Sequence, residues 1–140
     1  MPSNRNAAAV ALLASASVWV GAAAHAQARI DVPVLIPGGD GQMANCGGGQ
    51  IVGLDPRGDG FLSVLSSPGR RPYRAIDRLY NGQEVLLCDQ RGPWIGVVYR
   101  GARPAPPDCN VHVPSPVRWA YTGPCAYGWV HQRYVRFVAG

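Results

Sequence analysis

From Ile51 onward the apolar residues come in brief runs closed by glycine, proline or asparagine, a pattern of short β-strands joined by tight turns. Ile51 to Leu54 is the first run. It leads into Asp55-Pro56-Arg57-Gly58-Asp59-Gly60, with proline at the second position of a type I turn. Phe61 to Leu65 forms the next strand, Ser66 to Tyr73 a long polar loop, and Ala75 to Leu79 another extended run. Asn81-Gly82 supplies the positive backbone angles of a tight turn. Glu84 to Asp89 and Trp94 to Arg100 pair as a hairpin across Gln90-Arg91-Gly92-Pro93. Gly128 to His131 and Val135 to Val138 close the sheet, with Gln132-Arg133-Tyr134 as the turn between them. No segment has the length and period of a helix, so the fold class is all-β.

The alternation inside these strands leaves neither face polar. Val85 and Leu87 share one side, with Leu86 and Cys88 on the other; Ile95, Val97 and Tyr99 oppose Trp94, Gly96 and Val98. Such a sheet must be covered on its outer side. The stretch Gly101 to Pro124 is a candidate cover, because its six prolines forbid a central strand. Residues 27–50 read as a Gly/Pro-rich N-terminal arm, with a short strand at Ile30 to Leu35 and a linker at Gly38-Gly39-Asp40-Gly41. Cys46 ends the freedom of that arm.

Residues 1–26 have the form of an export signal. Arg5 gives a weakly positive start, Ala7 to Ala24 is an apolar run of small residues, and Ala24-His25-Ala26 matches the A-x-A cleavage form. Ala26-Gln27-Ala28 is an alternative cleavage site, and an uncleaved anchor the alternative reading. The run falls short of the roughly 20 strongly apolar residues a bilayer requires. With no second apolar run, the mature chain is expected to be soluble, periplasmic or secreted, without stable membrane insertion.

Export changes the meaning of Cys46, Cys88, Cys109 and Cys125, which would meet an oxidising compartment as an even set. Four cysteines permit three pairings, and chain order does not choose among them. The pairing adopted is Cys109 with Cys125, closing a long loop, and Cys46 with Cys88, pinning the arm to a strand. Loop closure gives the first about 3 kcal/mol and the second about 4. Zinc is the rival use for these cysteines, with His112 and His131, but neither a C-x-x-C nor an H-x-x-x-H pair is present. No metal and no cofactor are expected.

All thirteen basic residues are arginine. Without Arg5, twelve arginines against eight acids leave the mature chain at +4, which favours anionic partners such as cell-wall polymers. Export and the absence of a basic run argue against nucleic acid.

Four motifs in order resemble the bacterial SH3 domain family: Leu62-Ser63-Val64-Leu65-Ser66-Ser67-Pro68-Gly69, Leu79-Tyr80-Asn81-Gly82-Gln83-Glu84-Val85, Trp94 to Val97, and Gly128-Trp129-Val130. The resemblance spans about Gly60 to Val138. It implies a small SH3-like β-barrel over residues 51–140, with an irregular N-terminal arm and a disulfide-stapled loop insertion at 101–124. Two departures are Leu65, where the family usually has arginine, and the insertion itself. The function implied is an exported, stand-alone, non-catalytic module that binds peptidoglycan peptide. The alternative is a protein-protein interaction module that regulates or inhibits an envelope enzyme, its partner an envelope protein.

Within that frame Trp129 points one large ring into the barrel as core. Tyr73, Trp94 and Tyr134 are placed in a shallow groove, as rings that offer rigid contact area at small entropy cost. Arg71 and Arg74 add charge for a carboxylate, which a planar guanidinium grips with both arms. These five are the candidate ligand-binding residues. Asp55, Asp59 and Gly60 resemble a calcium loop, but Arg57 and Ser66 stand where it needs acids. Arg57-Gly58-Asp59 is read as a chance tripeptide. Glu84 is the single glutamate, and the histidines have no evident partner, so no catalytic residue is assigned; a Cys-His pair using His131 would need a free thiol.

Overall fold

A computed structural model describes residues 29–43, 45–69, 71–101 and 104–139. The export signal expected at 1–26 lies outside them. Among the described residues nine strands run in chain order: β1 (Leu35–Ile36), β2 (Gly47–Ile51), β3 (Leu62–Leu65), β4 (Ala75–Leu79), β5 (Glu84–Arg91), β6 (Trp94–Tyr99), β7 (Trp119–Ala120), β8 (Ala126–His131) and β9 (Val135–Ala139). A single 3-10 turn, Gln132–Tyr134, stands between β8 and β9. The chain is all-β, as its alternation indicates.

Seven strands form one antiparallel sheet in the order β4-β3-β8-β6-β5-β2-β9, and β1 pairs with β7 in a second, two-stranded sheet. The large sheet is open: its ends are β4 and β9, and no pairing joins them among the described residues. Each end strand is interrupted. Ile76 is skipped between the pairs Val64 with Asp77 and Leu65 with Ala75, and Val138 is skipped between Gly48 with Ala139 and Gly49 with Phe137. Such bulges break the regular ladder that another chain would extend.

The tight turns follow their residues. Gln83 N donates to Tyr80 O at 3.1 Å, and only Gly82 has positive φ, +87°. The turn is therefore one in which asparagine keeps an ordinary backbone, against the expectation that both residues are left-handed. The Asn81 side chain reaches across to Leu54 instead. Its carboxamide accepts from Leu54 N at 3.0 Å and donates to Leu54 O at 2.8 Å. A side chain thus supplies the partner that a neighbouring strand would give Leu54. In the β5–β6 hairpin the loop is only Gly92-Pro93, shorter than the four residues expected, because Arg91 pairs directly with Trp94.

Two buried clusters lie on opposite faces of the sheet. Ile51, Leu54, Leu62, Val64, Leu79, Val85, Val97, Tyr99 and Val130 form one. The other joins Leu65, Cys88, Val98 and Trp129 to Val34 and Ile36 of the arm and to Cys109, Val111, Tyr121 and Cys125 of the stapled segment. Trp129 is core, but it faces the arm while Val130 takes the opposite side. The cover expected from 101–124 is thus shared with the N-terminal segment.

The arm departs most from its sequence reading. Gly47 to Gln50, included in the low-order arm, belong to β2, between β5 and β9. Gly49 has a packing reason there: a Cβ would stand 2.8 Å from Leu87 Cδ2. The strand expected at Ile30 to Leu35 reduces to Leu35–Ile36, because most partners of this segment are not strands. Asp31 N and Val32 N donate to Ser66 O at 2.9 and 3.0 Å, Trp129 Nε1 donates to Val32 O at 2.8 Å, and Leu35 N donates to Asp89 Oδ2 at 3.1 Å. The Gly38–Gly41 linker is also tied down, Gly39 and Ser115 exchanging two backbone hydrogen bonds of 2.9 Å.

A bulge in β5 makes the arm's seat. Leu87 pairs with Val97 and Asp89 with Gly96, leaving Cys88 unpaired. The shift breaks period 2, so that Cys88 and Asp89 both serve the arm side: Cys88 bonds Cys46, and Asp89 accepts from Leu35 N. Gly96 has no Cβ to obstruct them. One built there would lie 2.8 Å from Asp89 Cβ and 2.9 Å from Val34 Cγ1. The second disulfide joins Cys109 to Cys125. Within its loop the Tyr121 hydroxyl donates to Cys109 O at 2.8 Å and accepts from Cys125 N at 3.0 Å.

Candidate functional site

Trp94 opens β6 and is half-buried. Across the sheet it pairs with His131 of β8, and the two rings meet edge to face with centroids 5.2 Å apart. Gly69 lies against the other side of the indole. Its φ is +69°, and a Cβ there would run into the ring at Nε1. Glycine is therefore required twice over, by backbone angle and by close approach. This is the physical role of the Ser67-Pro68-Gly69 motif: Gly69 N donates to Ser67 O at 2.8 Å, and the turn rests on Trp94.

A groove of about 800 Å³ runs along this contact. Pro68, Gly69 and Arg71 line one side, Arg91 and Trp94 the other, and Asp31 of the arm borders it as well. Arg71 is exposed and makes no ion pair or hydrogen bond among the described residues. Arg91 is partly committed, with Nη2 3.7 Å from Asp89 Oδ2 and its guanidinium carbon 5.2 Å from the centre of the Trp129 ring.

The other candidate residues divide. Tyr134 shares with Trp94, Ser63 and His131 a second cleft, of about 320 Å³. Tyr73 is exposed in a shallow depression bordered by Arg71 and Pro72. The single groove expected from the sequence is thus three hollows in series; Arg71 and Pro72 line two of them, and Trp94 lines two.

Arg74 lines none of these hollows. Its Nη2 donates to Arg29 O at 2.7 Å and lies 3.3 Å from Asp31 Oδ1. Its backbone N donates to Ser66 Oγ at 2.9 Å, and its O accepts from Ser66 N at 2.8 Å. Arg74 fastens the arm. The Ser66 hydroxyl holds the Asp31 carboxyl below its ordinary value; desolvation, the next-largest effect, opposes it, and the Arg74 and Arg29 charges add smaller lowering contributions.

Arg91, Gly69 and His131 were absent from the sequence-derived set. Pro68-Gly69 was visible as a turn, but nothing local tells which ring it meets. His131 has a defined local role: as N-cap of the 3-10 turn, its Nδ1 accepts from Arg133 N at 3.2 Å. The sulfurs that a zinc site or a Cys-His pair would use are bonded to one another. Asp55 Oδ1 accepts from Arg57 N at 2.9 Å in an ordinary turn. No protein-family model, curated protein or solved structure matches the chain.

Proposed function

We propose that this chain is an exported, non-catalytic binding module of SH3-like barrel type that holds a cell-wall peptide in the groove between Arg71 and Trp94. The observation that carries the reading is the free Arg71 guanidinium beside an aromatic wall in a groove of about 800 Å³, a volume within the roughly 300 to 1,000 Å³ typical of ligand sites. Arg71 takes a peptide carboxylate in two parallel hydrogen bonds, and the indole covers the adjoining apolar part of the chain. A barrel is consistent with the inner cluster, which draws on every strand from β2 to β9 except the short β7. The two disulfides suit an oxidising, non-cytoplasmic compartment. Among the described residues no helix is long and apolar enough to cross a membrane.

The test is co-sedimentation with purified peptidoglycan at low salt, with wild type and Arg71→Ala side by side. Wild type is retained and the variant is released. Equal behaviour of the two, in either direction, overturns the reading.

A second reading, a protein-interaction module, has its own observation. Val113 and Val117 are 48% and 65% exposed on the stapled segment, which the Cys109–Cys125 bond holds rigid. Envelope crosslinking would then capture one partner, and Val117→Asp would abolish the capture while leaving peptidoglycan retention intact.

A further inference from the structure

The cleft on the other side of Trp94 has a different chemistry from the peptide groove. Its walls are aromatic: Trp94, His131 set edge-on to it, and Tyr134, with Leu62 and Leu65 also lining it. Three polar groups at its border have no partner among the described residues: the Ser63 hydroxyl, the Tyr134 hydroxyl and His131 Nε2. None is a buried atom lacking a hydrogen bond, so water satisfies them and a ligand can replace it. The Nδ1 atom of His131 already accepts from Arg133 N at 3.2 Å. The proton of the neutral ring therefore sits on Nε2, which makes that atom a donor.

We propose that this cleft binds one neutral pyranose ring, so that the module grips glycan and peptide on the two sides of Trp94. A pyranose has an apolar C–H face and a belt of hydroxyls at its edge. The first matches the aromatic walls, the second the hydroxyls of Ser63 and Tyr134 and the Nε2 donor of His131. A proline or an aromatic side chain would leave those polar groups unmatched on desolvation. The volume of about 320 Å³ is at the small end of the roughly 300 to 1,000 Å³ range for ligand sites, which favours one ring over a folded segment. Among the described residues the one arginine at the cleft is Arg133, which lies over the Tyr134 ring at 5.8 Å, so an anionic ligand is not called for. The biological setting rests on the cell-wall reading above; the cleft itself does not depend on Arg71.

The experiment is an NMR titration of the ¹⁵N-labelled protein with a peptide-free N-acetylglucosamine tetramer, and separately with a glycan-free stem peptide. The tetramer is expected to shift His131, Arg133 and Tyr134 signals, including His131 Nε2, with binding in the millimolar range or tighter, and Arg71→Ala leaves this unchanged. Tyr134→Phe and Ser63→Ala, which keep the packing, each weaken it by about threefold, and Tyr134→Ala by about tenfold, the equivalent of one 1.4 kcal/mol step. No shift at these signals at about 10 mM glycan, a concentration that would reveal a millimolar Kd, overturns the proposal. So do shifts undiminished in both Tyr134→Phe and Ser63→Ala, or displacement of these signals by a proline-rich peptide but not by the glycan. If the stem peptide moves no signal at Gly69 or Arg71 while the tetramer binds, the peptide reading fails and the sugar cleft stands.

Discussion

Gly96→Ala tests whether the arm is an integral part of the fold. A Cβ at position 96 would lie 2.8 Å from Asp89 Cβ and 2.9 Å from Val34 Cγ1, closer than real Cβ atoms approach. Neither neighbour yields easily. Asp89 Cβ is fixed to the β5 backbone at its bulge, and its carboxylate is held by Leu35 N at 3.1 Å and Gln90 N at 2.8 Å. Val34 is fully buried and its branched side chain is stiff. Overpacking of this kind costs about 1 to 3 kcal/mol, and two rigid neighbours place it in the upper half of that range. For a domain of this size each 1 kcal/mol lowers Tm by about 4 to 8 °C. Urea unfolding followed by tryptophan fluorescence would measure the loss, and hydrogen exchange would locate it, with amides 31–36 losing protection first. Val34→Ala removes one of the two collisions, so the double variant should be less destabilised than the sum of the singles by about 1 kcal/mol, a coupling typical of residues in contact. Stability of Gly96→Ala within about 0.5 kcal/mol of wild type, the window seen for neutral substitutions, would refute the packing, as would strict additivity with Val34→Ala.

Three other outcomes are expected. Burial first, and then the Asp77 carboxylate accepting from its hydroxyl at 2.8 Å, raise the Tyr99 pKa well above 10.0. Its contribution is complete below about pH 10 and is lost as pH rises further, because the unfolded chain ionises first; alkaline unfolding followed by circular dichroism should be less steep in Tyr99→Phe. The Asp31 pKa is lowered, so its contribution is present above pH 3.8, the ordinary value, and is lost on further acidification. Protection of the arm amides, taken relative to their intrinsic exchange rate at each pH, should therefore fall at low pH in wild type, and Asp31→Asn should show that lower protection already at neutral pH. Replacing Cys46 and Cys88 by alanine should cost about 4 kcal/mol, against about 3 for Cys109 and Cys125, and thermal unfolding would rank the two. A smaller loss from the first pair would mean that loop length does not govern their contribution.

Much of the site was legible in part. Trp94 and Arg71 stand out in the sequence as a strand-opening aromatic and a loop cation, and each lines two of the three hollows. Arg74 looks identical to Arg71 in sequence, three positions away in the same polar loop region. The arm distinguishes them: Arg29 O and Asp31, some forty residues earlier, pair with Arg74. His131 looked unpartnered because the atoms that define it are a turn amide and a ring brought in from β6.

What the chain alone determined is what depends on neighbours in sequence. Period 2 in β5 and β6, glycine at positive φ in the turns, and an even cysteine set gave the all-β class, most strand positions and the expectation of two disulfides, because each follows from backbone sterics or from compartment chemistry. The tertiary structure decided which faces meet. A one-residue bulge at Cys88 turned Asp89 toward the arm, the missing Cβ of Gly96 made room for Val34, and partly buried backbone groups at Val32 and Leu35 were satisfied by the Trp129 and Asp89 side chains. Such choices rest on partners far apart in the chain, where register and desolvation, not local propensity, set the free energy.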